Sequence, residues 1–214
     1  MSDPKPIPMP LAKRWFDIIF SLVILVVLSP ILLIVILVML LEFAFFAQSR
    51  GPILYSETRI SQGRPFTLYK FRVFKKSALE GSLKNNGFIQ TKDLEQNPKN
   101  LTLTGRLLKQ AYLDEIPQLI NVLKADMSLV GPRPTNVKNF ELNRERGGLA
   151  KSLLAAGITG YFQSHKGLKL HKDQEELDME YARFMQTNPG WKVVLFDLKI
   201  LLISIYTVLR AEGI

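Results

Sequence analysis

Leu113-Asp114-Glu115-Ile116-Pro117-Gln118-Leu119 sets two adjacent carboxylates just before a proline and an apolar run. Proline is tolerated in the first turn of a helix, where its missing N–H would have no partner. Asp is a good N-cap residue. The pattern predicts Asp114 and Glu115 at a helix N-terminus, where unpaired N–H groups and the helix dipole stabilise negative charge. A carboxylate kept ionised there can act as a nucleophile or bind a metal. About fourteen residues after Pro117, Gly131-Pro132-Arg133-Pro134 holds a cation in a loop stiffened by two prolines. Acidic helix starts are common, so the pair taken alone reads as an ordinary capped helix. The case for chemistry rests on what surrounds it.

Further cations lie upstream. Ile53-Leu54-Tyr55-Ser56-Glu57-Thr58-Arg59-Ile60 and Phe66-Thr67-Leu68-Tyr69-Lys70-Phe71-Arg72-Val73 read as two short strands, with Ser61-Gln62-Gly63-Arg64-Pro65 as the turn between them. Lys70 and Arg72 are two residues apart and so share one face of the second strand. Together they make either a phosphate clamp or a solvated basic face.

The elements that must position these groups start with a membrane segment. Ile18 to Leu41 is almost wholly apolar, about 24 residues, enough to cross a hydrocarbon core of ~30 Å as a helix. It is too long for the apolar region of a signal peptide. Ser29-Pro30 falls at its middle. Pro30 deprives the Val26 carbonyl of its helical partner, so a kink is expected, and the Ser29 hydroxyl could satisfy the freed carbonyl. Both flanks are basic: Lys5, Lys13 and Arg14 before the run, and Arg50, Arg59, Arg64, Lys70, Arg72, Lys75 and Lys76 after it. The positive-inside bias then wants both flanks in the cytoplasm. A helix broken at its centre that dips into one leaflet and returns satisfies this, while a Pro-kinked spanning helix remains the alternative. Residues 1–47 are expected to form an N-terminal tail and re-entrant membrane helix, and residues 48–214 a cytoplasmic, membrane-associated domain that would carry any chemistry.

Composition limits the partners. The 214 residues allow one domain plus a membrane element, or at most two small domains. A formal net charge of +9 with a pI near 9.7 calls for an acidic partner: nucleic acid, anionic lipid or a phosphorylated small molecule. With no cysteine there is neither a disulfide framework nor a Cys-ligated zinc site, and with only His165 and His171 a multi-histidine metal site is not expected. No P-loop or dinucleotide-binding glycine motif occurs.

Along the rest of the chain, residues 75–100 are polar and read as a connection with little core content. Gly105 to Lys124 carries helical apolar spacing interrupted by Pro117. Val137 to Lys151 reads as a surface helix, Gly157-Ile158-Thr159-Gly160 as a turn-like break, and Glu175 to Met185 as a helix ended by Asn188-Pro189-Gly190. Trp191 to Arg210 is apolar but contains Lys192, Asp197, Lys199 and Arg210. Such charges make a true span costly and favour a helix in the interface or packed on the membrane element.

These residues resemble the bacterial sugar transferases, the monotopic phosphoglycosyl transferases, over most of the chain from Lys13-Arg14-Trp15-Phe16-Asp17 onward. The most specific part runs from Leu113-Asp114-Glu115-Ile116-Pro117-Gln118-Leu119-Ile120-Asn121-Val122-Leu123-Lys124 into Asp126-Met127-Ser128-Leu129-Val130-Gly131-Pro132-Arg133-Pro134. Weaker echoes are Tyr69-Lys70-Phe71-Arg72, Gly157-Ile158-Thr159-Gly160 with Gln163, and Trp191 with Asp197-Leu198-Lys199-Ile200-Leu201. The resemblance implies an α+β fold, mainly α, with a re-entrant membrane helix broken at Ser29 and Pro30, a short β-hairpin and several helices at the membrane interface. It implies transfer of a sugar-1-phosphate from a UDP-sugar to polyprenyl phosphate at the cytoplasmic face of the bacterial inner membrane, with release of UMP. Asp114 would be the nucleophile and a magnesium ligand, and Glu115 would assist. Arg133, Lys70, Arg72, Gln163 and Lys166 would bind substrate phosphate. The implied partners are the UDP-sugar, polyprenyl phosphate and membrane lipids, with no nucleic acid. Ala111, Val73-Phe74, Ala156 and Ser164-His165-Lys166-Gly167 depart from the family pattern and leave the donor sugar open; if Lys166 stands in for the family's arginine, it would give up bidentate phosphate binding. The rival readings are a membrane-anchored basic interaction protein without catalysis, and a glycosyltransferase that releases UDP.

Overall fold

Thirty-five consecutive residues, Leu11–Phe45, form helix α1 in the computed structural model, which describes residues 4–86, 91, 94, 96–165 and 172–209. Pro30 lies inside this helix. It has no N–H to give the Val26 carbonyl, and the Ser29 hydroxyl donates to that carbonyl instead, at 2.8 Å, as its position in the sequence predicts. The chain is helical on both sides of this replacement. Leu22, Val26, Val27, Leu33, Ile34 and Leu37 are all exposed. Only 6% of the most apolar window of α1 is buried, whereas the core helix of a soluble domain would be mostly covered. Its length and composition suffice to cross a membrane.

The chain forms two compact units. One contains Met1–Val23, Glu57–Leu68 and Gln118–Ile214; the other contains Ile24–Ser56 and Tyr69–Pro117. A hairpin of β1 (Leu54–Ser61) and β2 (Arg64–Phe71) contributes to both. Its turn is shorter than the predicted five residues. Gln62 and Gly63, with φ of +50° and +72°, make the two-residue turn whose twist suits a hairpin.

In the first unit, β3 (Met127–Val130) and β4 (Ala156–Thr159) form a parallel pair, with Met127 opposite Ala156 and Val130 opposite Thr159. Parallel strands need a crossover. Here it carries α5 (Val137–Glu145) and the single-turn helix α6 (Ala150–Leu153). The sequence reading of residues 157–160 as a break is thereby corrected: three of them are strand. Their glycines serve close backbone approach. A Cβ on Gly157 would lie 2.1 Å from the Gly131 nitrogen, and one on Gly160 2.2 Å from the Gly131 oxygen. Helix α4 (Gln118–Leu123) packs on β3. The single-turn helix α7 (Tyr161–Ser164) packs on α8 (Gln174–Thr187) and α9 (Gly190–Leu209). A reciprocal Asp173–Glu176 capping box, not foreseen from sequence, starts α8; Asn188-Pro189 ends it, as read from sequence, while Gly190 already opens α9. Helix α9 buries Val193, Asp197, Ile200, Ser204 and Thr207 and exposes Trp191, Leu195, Leu198, Leu202 and Ile205.

In the second unit, Met39 of α1 joins Phe71, Val73, Phe74, Leu101 and Leu108 in a buried cluster. The polar stretch after Lys75 contributes more than its composition promised. Helix α2 (Lys76–Asn86) brings Leu79 against the cluster, Leu94 packs there too, and Phe74 bridges to Leu101. Its sparse apolar residues are spaced to reach one core, a signal too thin to read before that core is known. Helix α3 (Leu103–Gln110) completes the unit. The fold is mainly helical with two small sheets, an α+β architecture.

Candidate active site

Helix α3 ends at Gln110, and Tyr112 adopts a left-handed backbone conformation, φ +55° and ψ 20°. A side chain at positive φ costs on the order of 1 kcal/mol and persists only where its surroundings impose it. This residue turns the chain into the 3-10 turn Leu113–Glu115, which packs back on α3. The acidic pair therefore sits in a 3-10 turn, a correction to the expected helix N-terminus: α4 begins only at Gln118, after Pro117. Proline spacing alone could not reveal the left-handed residue that moves the boundary.

Asp114 and Glu115 are both half-buried. Lys70 Nζ lies 2.9 Å from Glu115 Oε1. Burial pushes the Asp114 carboxyl up to about 6, and the Glu115 charge beside it adds to the rise. Lys70 and Lys109 pull it back without cancelling the effect. Lys109, in the last turn of α3, carried no signal in the sequence beyond a helical face. The two lysines match the two carboxylates in formal charge, so burial is what chiefly raises this carboxyl, which remains mostly ionised at neutral pH.

The two cations expected on one strand face part company. Lys70 lies in β2 and meets Glu115. Arg72 lies just past the end of β2 and is 2% exposed. Its guanidinium donates to the carbonyls of Pro52 (2.8 Å), Phe74 (2.9 Å) and Ser49, and stacks over the Phe43 ring at 4.8 Å. Three of its five N–H groups so engaged in a buried side chain make Arg72 a structural strut, against its reading as a phosphate ligand.

In the first unit, Arg133 is exposed in the loop after β3. That loop is pinned on both sides. Gly131 N donates to Thr159 O and Gly157 N to Pro132 O, each at 2.9 Å, and Ile60 N donates to Thr135 O at 2.9 Å. Gln163 of α7 is 4% exposed, and neither atom of its amide has a hydrogen-bond partner. An unsatisfied buried amide costs roughly 1–3 kcal/mol and calls for a reason. Lys166 lies outside the described residues.

Sequence reasoning treated Lys13 and Arg14 as a basic flank and Asp197 as a charge that makes a span costly. In the structure Lys13 and Asp197 are 1% and 0% exposed, and paired. Lys13 Nζ donates to Asp197 Oδ2 at 2.5 Å and to Val130 O at 3.3 Å, and lies 4.0 Å from Asp17 Oδ1. Tyr181 donates its hydroxyl to Asp197 Oδ1 at 2.6 Å, and Ser128 Oγ donates to Asp17 Oδ2 at 2.8 Å. Arg14 donates to the Val122 and Leu123 carbonyls at the end of α4. Both flank cations are thus structural, and of the three cations Lys5, Lys13 and Arg14 it is Lys5 that is exposed.

Among the described residues no group of three or more His, Cys, Asp or Glu side chains could hold a metal ion. Magnesium is nevertheless commonly held by one or two carboxylates, with water and substrate phosphate completing its shell. Two adjacent half-buried carboxylates form such a donor set, so Asp114 and Glu115 fit the ion.

Residues 9–211 match the family described as bacterial sugar transferase, and the chain belongs to that family. It is 35% identical over 204 residues to a sugar transferase of Bacillus subtilis, EpsL, named as uncharacterised, covering 94% of this chain and 89% of that protein. It is 33% identical over 205 residues to UDP-glucose:undecaprenyl-phosphate glucose-1-phosphate transferase of Escherichia coli, covering 92% of this chain. To undecaprenyl-phosphate galactose phosphotransferase of Salmonella typhimurium it is 36% identical over 162 residues, covering 71% of this chain. The chain spans only 40% and 32% of the length of these last two proteins.

Proposed function

We propose that this protein is a phosphoglycosyl transferase that moves a sugar-1-phosphate from a UDP-sugar to polyprenyl phosphate and releases UMP, at the cytoplasmic face of the bacterial inner membrane. The observation that carries the reading is the half-buried Asp114–Glu115 pair, with Lys70 on Glu115 and the Asp114 carboxyl raised to about 6. The names of the relatives agree with the transfer. In this mechanism an Asp114 oxygen attacks the phosphorus that carries the sugar, and the bond to the UMP oxygen breaks. A phosphate oxygen of the lipid then attacks the same phosphorus and frees Asp114. Covalent capture lets a soluble donor leave before a lipid acceptor arrives. Glu115 assists as the base for the lipid phosphate, and Lys70 holds it in place. Lys70 and Arg133 offset phosphate charge, and Gln163 and Lys166 remain substrate-phosphate ligands. Bound magnesium, held by Asp114, would reduce the repulsion between carboxylate and phosphate.

Membrane re-entry at Ser29-Pro30 belongs to the same reading. Lys13, at the start of α1, binds Asp197 far beyond its end. Among the described residues α1 is the one helix long and apolar enough to cross a membrane. A single crossing would separate two residues that touch, so their pairing supports a helix that returns to the side it entered. Lys5→Cys and Gln48→Cys, both at exposed positions of a cysteine-free chain, report on this. Neither thiol is expected to react with an impermeant reagent in intact cells, and labelling of the Lys5→Cys protein there would favour a spanning helix.

The reaction is tested by incubating the membrane-bound protein with undecaprenyl phosphate and UDP-glucose, UDP-galactose or a UDP-N-acetylhexosamine. Lipid-dependent release of UMP is expected with at least one donor. Release of UDP would favour a glycosyltransferase, and no release from any donor would favour the non-catalytic reading.

A further inference from the structure

The last turns of α1 carry one carboxylate, Glu42, in an otherwise apolar sequence, and it is 6% exposed. A buried carboxylate is costly unless its oxygens find donors. Glu42 finds four. Oε1 accepts from Leu103 N and from Ser49 Oγ, each at 2.8 Å. Oε2 accepts from Thr104 N at 2.9 Å and from Thr104 Oγ1 at 2.5 Å. Leu103 and Thr104 open helix α3, and Thr102 supplies the local cap by accepting from Gly105 N. The first three N–H groups of α3, which no intrahelical carbonyl can reach, are thus all satisfied, two of them by a residue of the membrane helix. The negative charge also meets the positive end of the α3 dipole.

What α3 carries makes this cap more than local. It is only eight residues long, and its far end runs through Tyr112 into the turn that holds Asp114 and Glu115. That turn packs on α3 itself. The strut Arg72 fixes the same corner, through the Ser49 and Pro52 carbonyls and the Phe43 ring of α1. A displacement of about 1 Å in a reacting group can lower a rate about a hundredfold. Building on the proposed transfer reaction, we infer that Glu42 is a positioning residue: it ties the end of the membrane helix to α3 and thereby sets the place of the catalytic carboxylates.

The test uses the full chain in lipid nanodiscs, as wild type, Glu42→Ala and Glu42→Gln. Amide exchange is measured over residues 103–115, and steady-state rates with the UDP-sugar that the wild type turns over. In Glu42→Ala, exchange at Leu103 and Thr104 is expected to rise at least tenfold, with faster exchange reaching Glu115. The kcat is expected to fall at least tenfold while KM for the donor stays within twofold. Glu42→Gln keeps one acceptor oxygen and should fall between the two; if Glu42→Ala does not fold, it carries the test. Unchanged exchange at Leu103 and Thr104 would overturn the tie. Faster exchange with unchanged kcat would overturn the positioning role and leave only a cap. If the wild type turns over no nucleotide sugar, the proposed reaction fails by itself, and the exchange pattern alone decides whether Glu42 holds the turn.

Discussion

Two groups of charged side chains, one in each unit, answer opposite demands. Lys13, Asp17 and Asp197 are withdrawn from water, and their oxygens and ammonium are matched by Tyr181, Ser128 and the Val130 carbonyl. Asp114 and Glu115 stay half-buried beside Lys70 and Lys109, and the two lysines do not offset the effect of burial on Asp114. A closed set of this kind joins distant parts of a chain, because any unpaired member would be costly. A half-buried carboxylate that burial disfavours costs stability but is able to act on something else. Full burial with hydrogen-bond partners on every member marks scaffold, and partial burial that keeps a carboxylate accessible suits chemistry.

The sharpest way to break this contrast is to remove the charge on each side in turn. Asp114→Asn keeps the shape and removes the proposed nucleophile. UMP release is expected to fall by a factor of about a thousand or more, on the order of 4 kcal/mol of activation free energy. The same change should leave the protein folded and membrane-bound. It should stabilise it above pH 6, by at most about 3 kcal/mol, because it removes a carboxylate that burial disfavours. A Tm below that of the wild type at pH 7.5 would place Asp114 in the scaffold class.

Lys13→Met should do the reverse. It leaves Asp197 and Asp17 buried without their cation, and a loss of about 3–5 kcal/mol is expected from denaturant unfolding. Replacing Asp197 by Leu in the same chain should restore part of that loss. No recovery in the double variant would show that Lys13 acts through packing and not through the pair.

The smallest expected effect is on pH dependence. In the proposed reaction only ionised Asp114 attacks, and burial with the Glu115 charge raises its carboxyl to about 6. The rate should therefore be half-maximal near pH 6 and fall about tenfold per unit below it. The stability sign runs the other way. A raised carboxyl favours the folded state below its unfolded value near 4, and that contribution is lost as pH rises through about 6. The Tm gap between wild type and Asp114→Asn should accordingly be wider at pH 7.5 than at pH 5. A gap independent of pH would mean that Asp114 titrates as it does in the unfolded chain.

Much of the acidic half of this contrast was legible in the sequence, because Asp114, Glu115 and Pro117 are neighbours and local chemistry travels with local spacing. The membrane helix and the Ser29 bond to Val26 were legible for the same reason. Lys13 and Asp197 are 184 residues apart, and no local pattern links them. Arg72 was misread because strand alternation was carried past the residue where the strand ends. Gly157 and Gly160 were read as a turn because glycine marks both turns and close backbone approach, and only the parallel neighbour distinguishes the two. Glu42 was hidden as a single acid at the end of an apolar run. Its donors come from a helix that begins about sixty residues later.

The most direct measurement is capture of the intermediate. Wild type and Asp114→Asn are incubated with the donor that supports UMP release, without lipid acceptor, quenched, and analysed by intact mass and peptide mapping. A sugar-phosphate increment on the wild-type peptide containing Asp114, absent from the variant and discharged by undecaprenyl phosphate, is the predicted result. UMP release by wild type with no adduct on any peptide, or an adduct on a residue other than Asp114, would contradict it.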